Sequence, residues 1–356
     1  MKSNLIVKFI CLVIIGVITI STLSYAQKGS VTEATQCDLV ALKKSESDFD
    51  NMAAEQTFNP SKPNSIKLRS AARAYISESQ RCFHQLYEGS NNNSNIRIDD
   101  GAVILPGTLT SSSLNNPLIA EEFSLFGAKW GVNSTFNGGR NTQGPGSPGG
   151  IVTYSFIPNG VSHQVEADND VVDNPGTNLA FSSLPDYQSC FETEVTKAFA
   201  MWSAVADIQF ELVADNGSPS NGNGANADIR IGAHNFDGSS GLLAHAFFPP
   251  SNAFNESITG DLHFDRSEFW TCEPQSQSLD IGIVTIHEIG HAIGLNHEEG
   301  PGQVVAIMNP FYDPDIVSTL TSDDIDGAVS IYGVFQEIIT TTIITPILGL
   351  ILGDDS

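Results

Sequence analysis

Positive charge is scarce in this chain. Against 41 Asp and Glu stand only 16 Lys and Arg, a net charge of −25 over 356 residues. So acidic an exterior repels phosphate backbones and anionic lipid, which excludes nucleic acid and negatively charged membranes as partners. It suits calcium, which takes carboxylate and carbonyl oxygens. Long apolar runs are lacking as well. The stretch Phe9–Ile20 and the tail Ile338–Leu352, interrupted by Thr340, Thr341, Thr342 and Pro346, both fall short of the roughly 20 residues that cross a bilayer. No stable membrane span is expected.

The first of these runs has the make-up of an export signal. Lys2 and Lys8 precede it, and Ser24-Tyr25-Ala26 offers a small-x-small cleavage site before Gln27, so residues 1–26 are expected to be removed and the protein to be secreted. Their loss would move the net charge from −25 to −27. Cysteine is sparse: of five, Cys11 leaves with the signal, and Cys37, Cys82, Cys190 and Cys272 remain. An even number in an exported chain points to disulfides. Four cysteines allow three connectivities; Cys37–Cys82 and Cys190–Cys272 keep each bridge within one region.

What the chain does have is the run His287-Glu288-Ile289-Gly290-His291-Ala292-Ile293-Gly294-Leu295-Asn296-His297, an HExxHxxGxxH pattern. On a helix His287 and His291 are i and i+4, so both imidazoles reach one metal from one face. Glu288 sits beside that metal as a base for bound water, not as a ligand. Gly294 is where the helix stops, because glycine takes a left-handed turn without strain, and the turn returns His297 as third ligand.

Upstream, residues 27–88 read as a small helical region. Segments around Leu39–Met52 and Ile66–Leu86 contain no glycine, and Pro60 and Pro63 separate them, which predicts a helical hairpin. Gly89-Ser90-Asn91-Asn92-Asn93-Ser94-Asn95 is a linker composition. The rest of 89–128 has no assignable element. After the Gly/Pro punctuation of Gly144–Gly150 comes an alternating strand, Ile151–Phe156. Phe191, Val195, Ala198, Phe199, Trp202 and Val205 form one apolar stripe on a helix facing a sheet. Ile208, Phe210 and Leu212 alternate as the next strand, and Ala227–Ile231 is another. In Asp261-Leu262-His263-Phe264-Asp265 a period of two places Asp, His and Asp on one face and Leu and Phe on the other.

Several features together resemble the matrixins, the matrix-metalloprotease-like branch of the metzincin zinc endopeptidases. These are the zinc run, a Met-turn at Met308-x-Pro310-x-Tyr312, Leu243-Ala244-His245-Ala246-Phe247, His263-Phe264-Asp265, Asp323-Asp324-Ile325-x-Gly327 and Ile331-Tyr332-Gly333. The resemblance covers about 129–335, leaving 336–356 as an apolar tail. It implies an α+β metzincin fold: a twisted, mostly parallel five-stranded sheet, a long helix behind it and the active-site helix below. It also implies zinc on His287, His291 and His297, general base Glu288, Met308 as an apolar floor, and Pro310 and Tyr312 as walls of a substrate pocket. An extended polypeptide substrate would lie along the edge strand Gly241–Ala246. The protein is expected to be a monomer.

The same resemblance implies a structural zinc on His234, His245 and His263, with either Asp237 as its fourth ligand or a degraded site, and calcium on Asp237, Asp265 and Glu268, with Asp261 at a second calcium position. The chain departs from the family in four respects. The His234–His245 segment is short and carries Asn235 where an Asp is usual. Glu298 after the third histidine is an astacin-like residue, the His297–Met308 gap is long, and the PRCGxPD cysteine switch is absent, since Arg81-Cys82 continues as Phe83-His84-Gln85. The N-terminal region is thus a propeptide of another kind or an accessory part. An astacin-like or other metzincin branch is the alternative enzyme; a non-catalytic, metal-stabilised extracellular binding module is the alternative of another class.

Overall fold

The computed structural model describes residues 37–59, 66–87, 96–99, 123–131, 146–162, 178–219, 224–250, 257–273, 278–298, 306–313 and 318–335. The signal segment, the Gly89–Asn95 linker and the tail lie outside them.

Both expected helices are present. Helix α1 spans Leu39–Phe58 and starts at Asp38, whose carboxylate accepts from Val40 N at 2.9 Å and Ala41 N at 3.1 Å, satisfying amides that have no partner within the helix. Helix α2 runs Ile66–Tyr87. The two pack together, with the rings of Phe49 and Tyr75 5.8 Å apart.

The sheet comprises β1 (Gly150–Phe156), β2 (Ile208–Leu212), β3 (Ile229–His234), β4 (Ala244–Ala246) and β5 (Leu262–Asp265), in the order β2-β1-β3-β5-β4. All pairs are parallel except β4 on β5. Strand β3 is buried along its whole length, as a central strand covered on both faces must be, whereas β2 at one edge alternates between buried and exposed. At the opposite edge β4 leaves one side of its backbone unpaired within the sheet. A short parallel pair, β6 (Trp270–Thr271) with β7 (Leu279–Asp280), follows.

Helix α3 (Ser189–Val205) carries the expected stripe: Phe191, Val195, Ala198, Phe199 and Trp202 are fully buried. It is not, however, one-sided. Thr193, Thr196, Ala200, Met201, Ser203 and Ala204 are buried too, because the α1–α2 hairpin covers the back of the helix. Thr57 Oγ1 meets Thr196 Oγ1 at 2.8 Å, Arg73 Nε donates to Ala204 O at 3.1 Å, and Lys197 pairs with Asp50 at 2.7 Å. Small and polar residues on that face allow the close approach, and Thr57, Thr196, Arg73 and Lys197 each have a partner there.

Helix α4 (Ile281–Ala292) lies against α3, where Trp202 Nε1 donates to Ile286 O at 3.0 Å. Helix α5 (Ser322–Tyr332) opens with a capping box between Thr321 and Asp324. Cys190 at the start of α3 is bonded to Cys272 beside β6, 82 residues away, and Cys37 and Cys82 are each in a disulfide. No helix among the described residues is long and apolar enough to cross a membrane.

Candidate metal centre and catalytic site

Helix α4 is buried on every side, and its N-cap Asp280 accepts from Gly282 N at 2.7 Å and Ile283 N at 3.3 Å. Anchored so, it presents His287 and His291 one turn apart, with ring centroids 4.8 Å from each other. The helix ends at Ala292, and Gly294 adopts φ +109°, where a Cβ would stand 2.4 Å from Ala128 O. Only glycine fits that approach and that turn. The reversal returns His297 to 5.3 Å from His287 and 4.9 Å from His291, ring centre to ring centre.

The protons are placed by the surroundings. His287 Nδ1 lies 2.7 Å from Ile307 O and His291 Nδ1 2.8 Å from Leu295 O. A carbonyl only accepts, so each Nδ1 carries its hydrogen and each Nε2 holds a lone pair. Both Nε2 atoms are buried without a hydrogen bond. Burial pushes His287 down to about 4, against the opposing pull of Asp99, so it is neutral, as a metal ligand must be. These residues fit a zinc ion: three convergent imidazole nitrogens and an apolar surround.

Glu288 is fully buried, and neither of its carboxylate oxygens has a hydrogen-bond partner among the described residues. Burial, reinforced by the charge of Asp99, holds its carboxyl well above the usual carboxylate range. Beneath the histidines Met308 packs directly on Gly290, where a Cβ would fall 2.2 Å from Met308 Sδ. The turn that carries Met308 is pinned by Asp324, which accepts from Ile307 N at 3.0 Å, Met308 N at 3.2 Å and Thr321 N at 2.8 Å. Tyr312 OH accepts from Asp280 N at 2.8 Å, tying the expected pocket wall to the cap of α4.

One residue of this site has no counterpart in the sequence reading. Asp99 stands among the three histidines, and its carboxylate and their nitrogens form one four-residue group with ligand atoms within 4.8 Å of one another. Its Oδ2 is 3.1 Å from His291 Nε2, its Oδ1 is 3.5 Å from His287 Nε2, and Oδ1 also contacts His297 Nε2. Burial acts to raise the Asp99 carboxyl, but the neighbouring histidines prevail and hold it well below the usual range. The stretch Ile96–Asp99 that delivers it lies between two walls: Ile98 N donates to Pro310 O at 2.8 Å and Tyr312 N to Ile96 O at 2.9 Å, while Leu243 N and Ala244 N donate to Ile98 O at 2.8 and 3.2 Å. No local spacing announces such a residue, because the contact spans 198 positions.

The second histidine group also assembles. His234 ends β3, and His245 on β4 is directly opposite His263 on β5. Their rings lie 5.1–5.3 Å apart and their ligand atoms within 4.8 Å. Asp237 does not join them. It is exposed, and its carboxylate accepts from Leu242 N at 3.1 Å, closing the short loop that the missing residues leave. It lies instead near Asp265 and Glu268: burial, then Asp265 and Asp237, push Glu268 up to about 7, and burial with Asp237 raises Asp265. Asp261 is turned elsewhere, accepting from Arg230 N at 2.8 Å.

Comparison with known proteins agrees with this geometry. The matrixin family model matches residues 178–333. Matrix metalloproteinase-16 of Rattus norvegicus is 39% identical over 154 residues, covering 39% of this chain and 23% of its own length. Neutrophil collagenase of Homo sapiens is 35% identical over 180 residues, 47% of this chain and 34% of its own. Metalloendoproteinase 1 of Glycine max is 33% identical over 168, 44% and 50% respectively. The chain thus spans half or less of the length of these relatives. The match begins at residue 178, although β1 already belongs to the same sheet. The matched stretch, residues 178–333, carries both histidine groups and the Met308 turn, and over that stretch the chain is similar to the matrixins.

Proposed function

We propose that this protein is an exported zinc endopeptidase that hydrolyses extended polypeptides, with 129–335 as its catalytic part and 27–88 as an accessory helical region. The observation that carries the reading is the meeting of three inward-facing histidines with a buried, unpartnered Glu288 carboxylate. His287, His291 and His297 would hold a zinc ion, which when bound would polarise the scissile carbonyl and lower the pKa of the attacking water. Glu288 takes the proton of that water and returns it to the leaving amine. An acid that burial already holds protonated more strongly than usual is well matched to the second of these transfers. The outer side of β4 and the carbonyl and amide of Pro310 and Tyr312, bonded here to Ile96 and Ile98, would give the same main-chain bonds to a substrate strand in their place.

His234, His245 and His263 would hold a second, structural zinc, without Asp237. Asp237, Asp265 and Glu268 are the residues that would share a calcium; Asp261 stands with Arg230. The family match favours the matrixin branch over the astacin-like one that Glu298 suggested.

The test is proteolysis of casein by the metal-loaded protein with its helical hairpin in place, with and without chelator. Glu288→Gln should keep its zinc, measured by elemental analysis, and lose about a hundredfold or more in turnover. Near-normal turnover with zinc bound would exclude Glu288 as the base.

A further inference from the structure

Asp99 is buried completely, yet among the described residues no lysine or arginine is paired with its carboxylate, and three imidazoles stand against it. Taking a carboxylate out of water costs several kcal/mol unless something compensates it. Neutral histidines could do so only through an N–H, and two of the three have none left to give. The Nδ1 hydrogens of His287 and His291 are already given to Ile307 O and Leu295 O, so their Nε2 atoms turn lone pairs, not hydrogens, toward Asp99. Lone pair would face lone pair at 3.1 Å and 3.5 Å. A divalent cation among these atoms removes the conflict, since each then faces positive charge.

We propose, on the reading of the site as a zinc centre, that Asp99 is the fourth metal ligand of the uncut chain and that Ile96–Asp99 is an inhibitory strap lying in the substrate cleft. A tetrahedral catalytic zinc keeps one position open for water or substrate. Asp99 fills it. The strap fills the rest of the cleft by the same means a substrate would use: it pairs antiparallel with Phe311 through Arg97, and its main chain bonds to Pro310 and Tyr312 on one side and to Leu243 and Ala244 on the other. Ile98, 1% exposed, is the apolar anchor between these walls, and Arg97 lies over the Phe311 ring at 5.5 Å. A strap covalently part of the chain competes at a high effective concentration, so substrate is excluded until Asp99 is displaced or cut away. The cysteine that caps zinc in the family pattern is absent here, and a carboxylate oxygen takes that place.

The test uses the full chain. Spectra are recorded on a Glu288→Gln background, which keeps it uncut, with cobalt(II) in place of zinc; hydrolysis is measured with native Glu288 and zinc, and chain length is verified by mass spectrometry. Acetohydroxamate, a small metal ligand, is the probe. It should leave the visible spectrum of the Asp99 chain unchanged and shift that of Asp99→Ala, with half-saturation at least about tenfold lower. Casein hydrolysis should rise in the same variant. Asp99→Asn, nearly isosteric, should lie between the two and carries the comparison if the alanine variant fails to fold by circular dichroism. Identical spectra and titrations for the Asp99 and variant chains, or failure of the histidines to take up cobalt, would overturn the strap. Variants that open to hydroxamate yet cleave no casein would uphold the strap and overturn the endopeptidase reading.

Discussion

At the scale of single residues the site tolerates little change, and Gly290 shows why. The position is on the inner face of α4, with Met308 Sδ where a Cβ would be and Trp202 3.3 Å from the same point. Gly290→Ala should therefore cost about 1–3 kcal/mol through overpacking. The sign is not set by helix propensity, since alanine is the better helix former. Truncating Met308 as well makes room for the methyl group. The Gly290→Ala/Met308→Ala double variant should thus lose less stability than the two single losses combined, and urea unfolding of the four chains measures the difference. Additive losses would mean that Met308 does not press on Gly290. The histidine cluster was legible at this scale because its members are neighbours in sequence: a helical period and one glycine suffice to bring His287, His291 and His297 together. Asp99 was not legible, because nothing in Arg97-Ile98-Asp99-Asp100 distinguishes a metal-facing carboxylate from the many solvated acids of the chain. Only the main-chain pairing of its strand to Pro310 and Leu243 aims it.

At the scale of elements the instructive case is α3. Its apolar stripe predicted a sheet on one side, and the sheet is there, but a stripe says nothing about a second cover made of threonine, serine and alanine. The hairpin supplies that cover with Phe49, which is fully buried beside Tyr75 and under the Lys197 ammonium at 5.8 Å. Phe49→Ala should destabilise the protein by about 3–5 kcal/mol, as deletion of a buried ring does. The midpoint of thermal unfolding, followed by circular dichroism with metals saturating, checks it. A hairpin that merely rested on the surface would show no loss. The β-strands were read well where they alternate, as in β1 and β2, and the period of two in β5 set His263 apart from Leu262 and Phe264. The fate of Asp237 was not readable: a loop shortened between β3 and β4 places this acid against Leu242 N and out of reach of the histidines.

At the scale of the whole molecule, the acidity read first from composition becomes a pH dependence. Glu268 is raised to about 7 by burial and by the charges of Asp265 and Asp237. A carboxyl with its folded pKa above its unfolded value near 4.5 binds more protons folded than unfolded, so its contribution to stability is lost as pH rises between those two values. In EGTA, Glu268→Gln should match the native residue near pH 5 and melt at a higher temperature near pH 7.5. Calcium at pH 7.5 should reverse the order, because only the ionised carboxylate is a good ligand. Equal melting of the two chains across this range, with and without calcium, would dissociate Glu268 from any cation.

The Cys190–Cys272 bond has a further consequence for a molecule that works among proteases. The loop it closes contains β2, β3, β4 and β5, four of the five strands of the main sheet. A backbone break anywhere within that loop divides the chain without releasing either piece. The two parts stay tethered at the head of α3, near enough to remain paired in the sheet, and the closure contributes on the order of 4–5 kcal/mol that an open chain would lack. Such a molecule can be nicked and persist as a single covalent body until something reduces it.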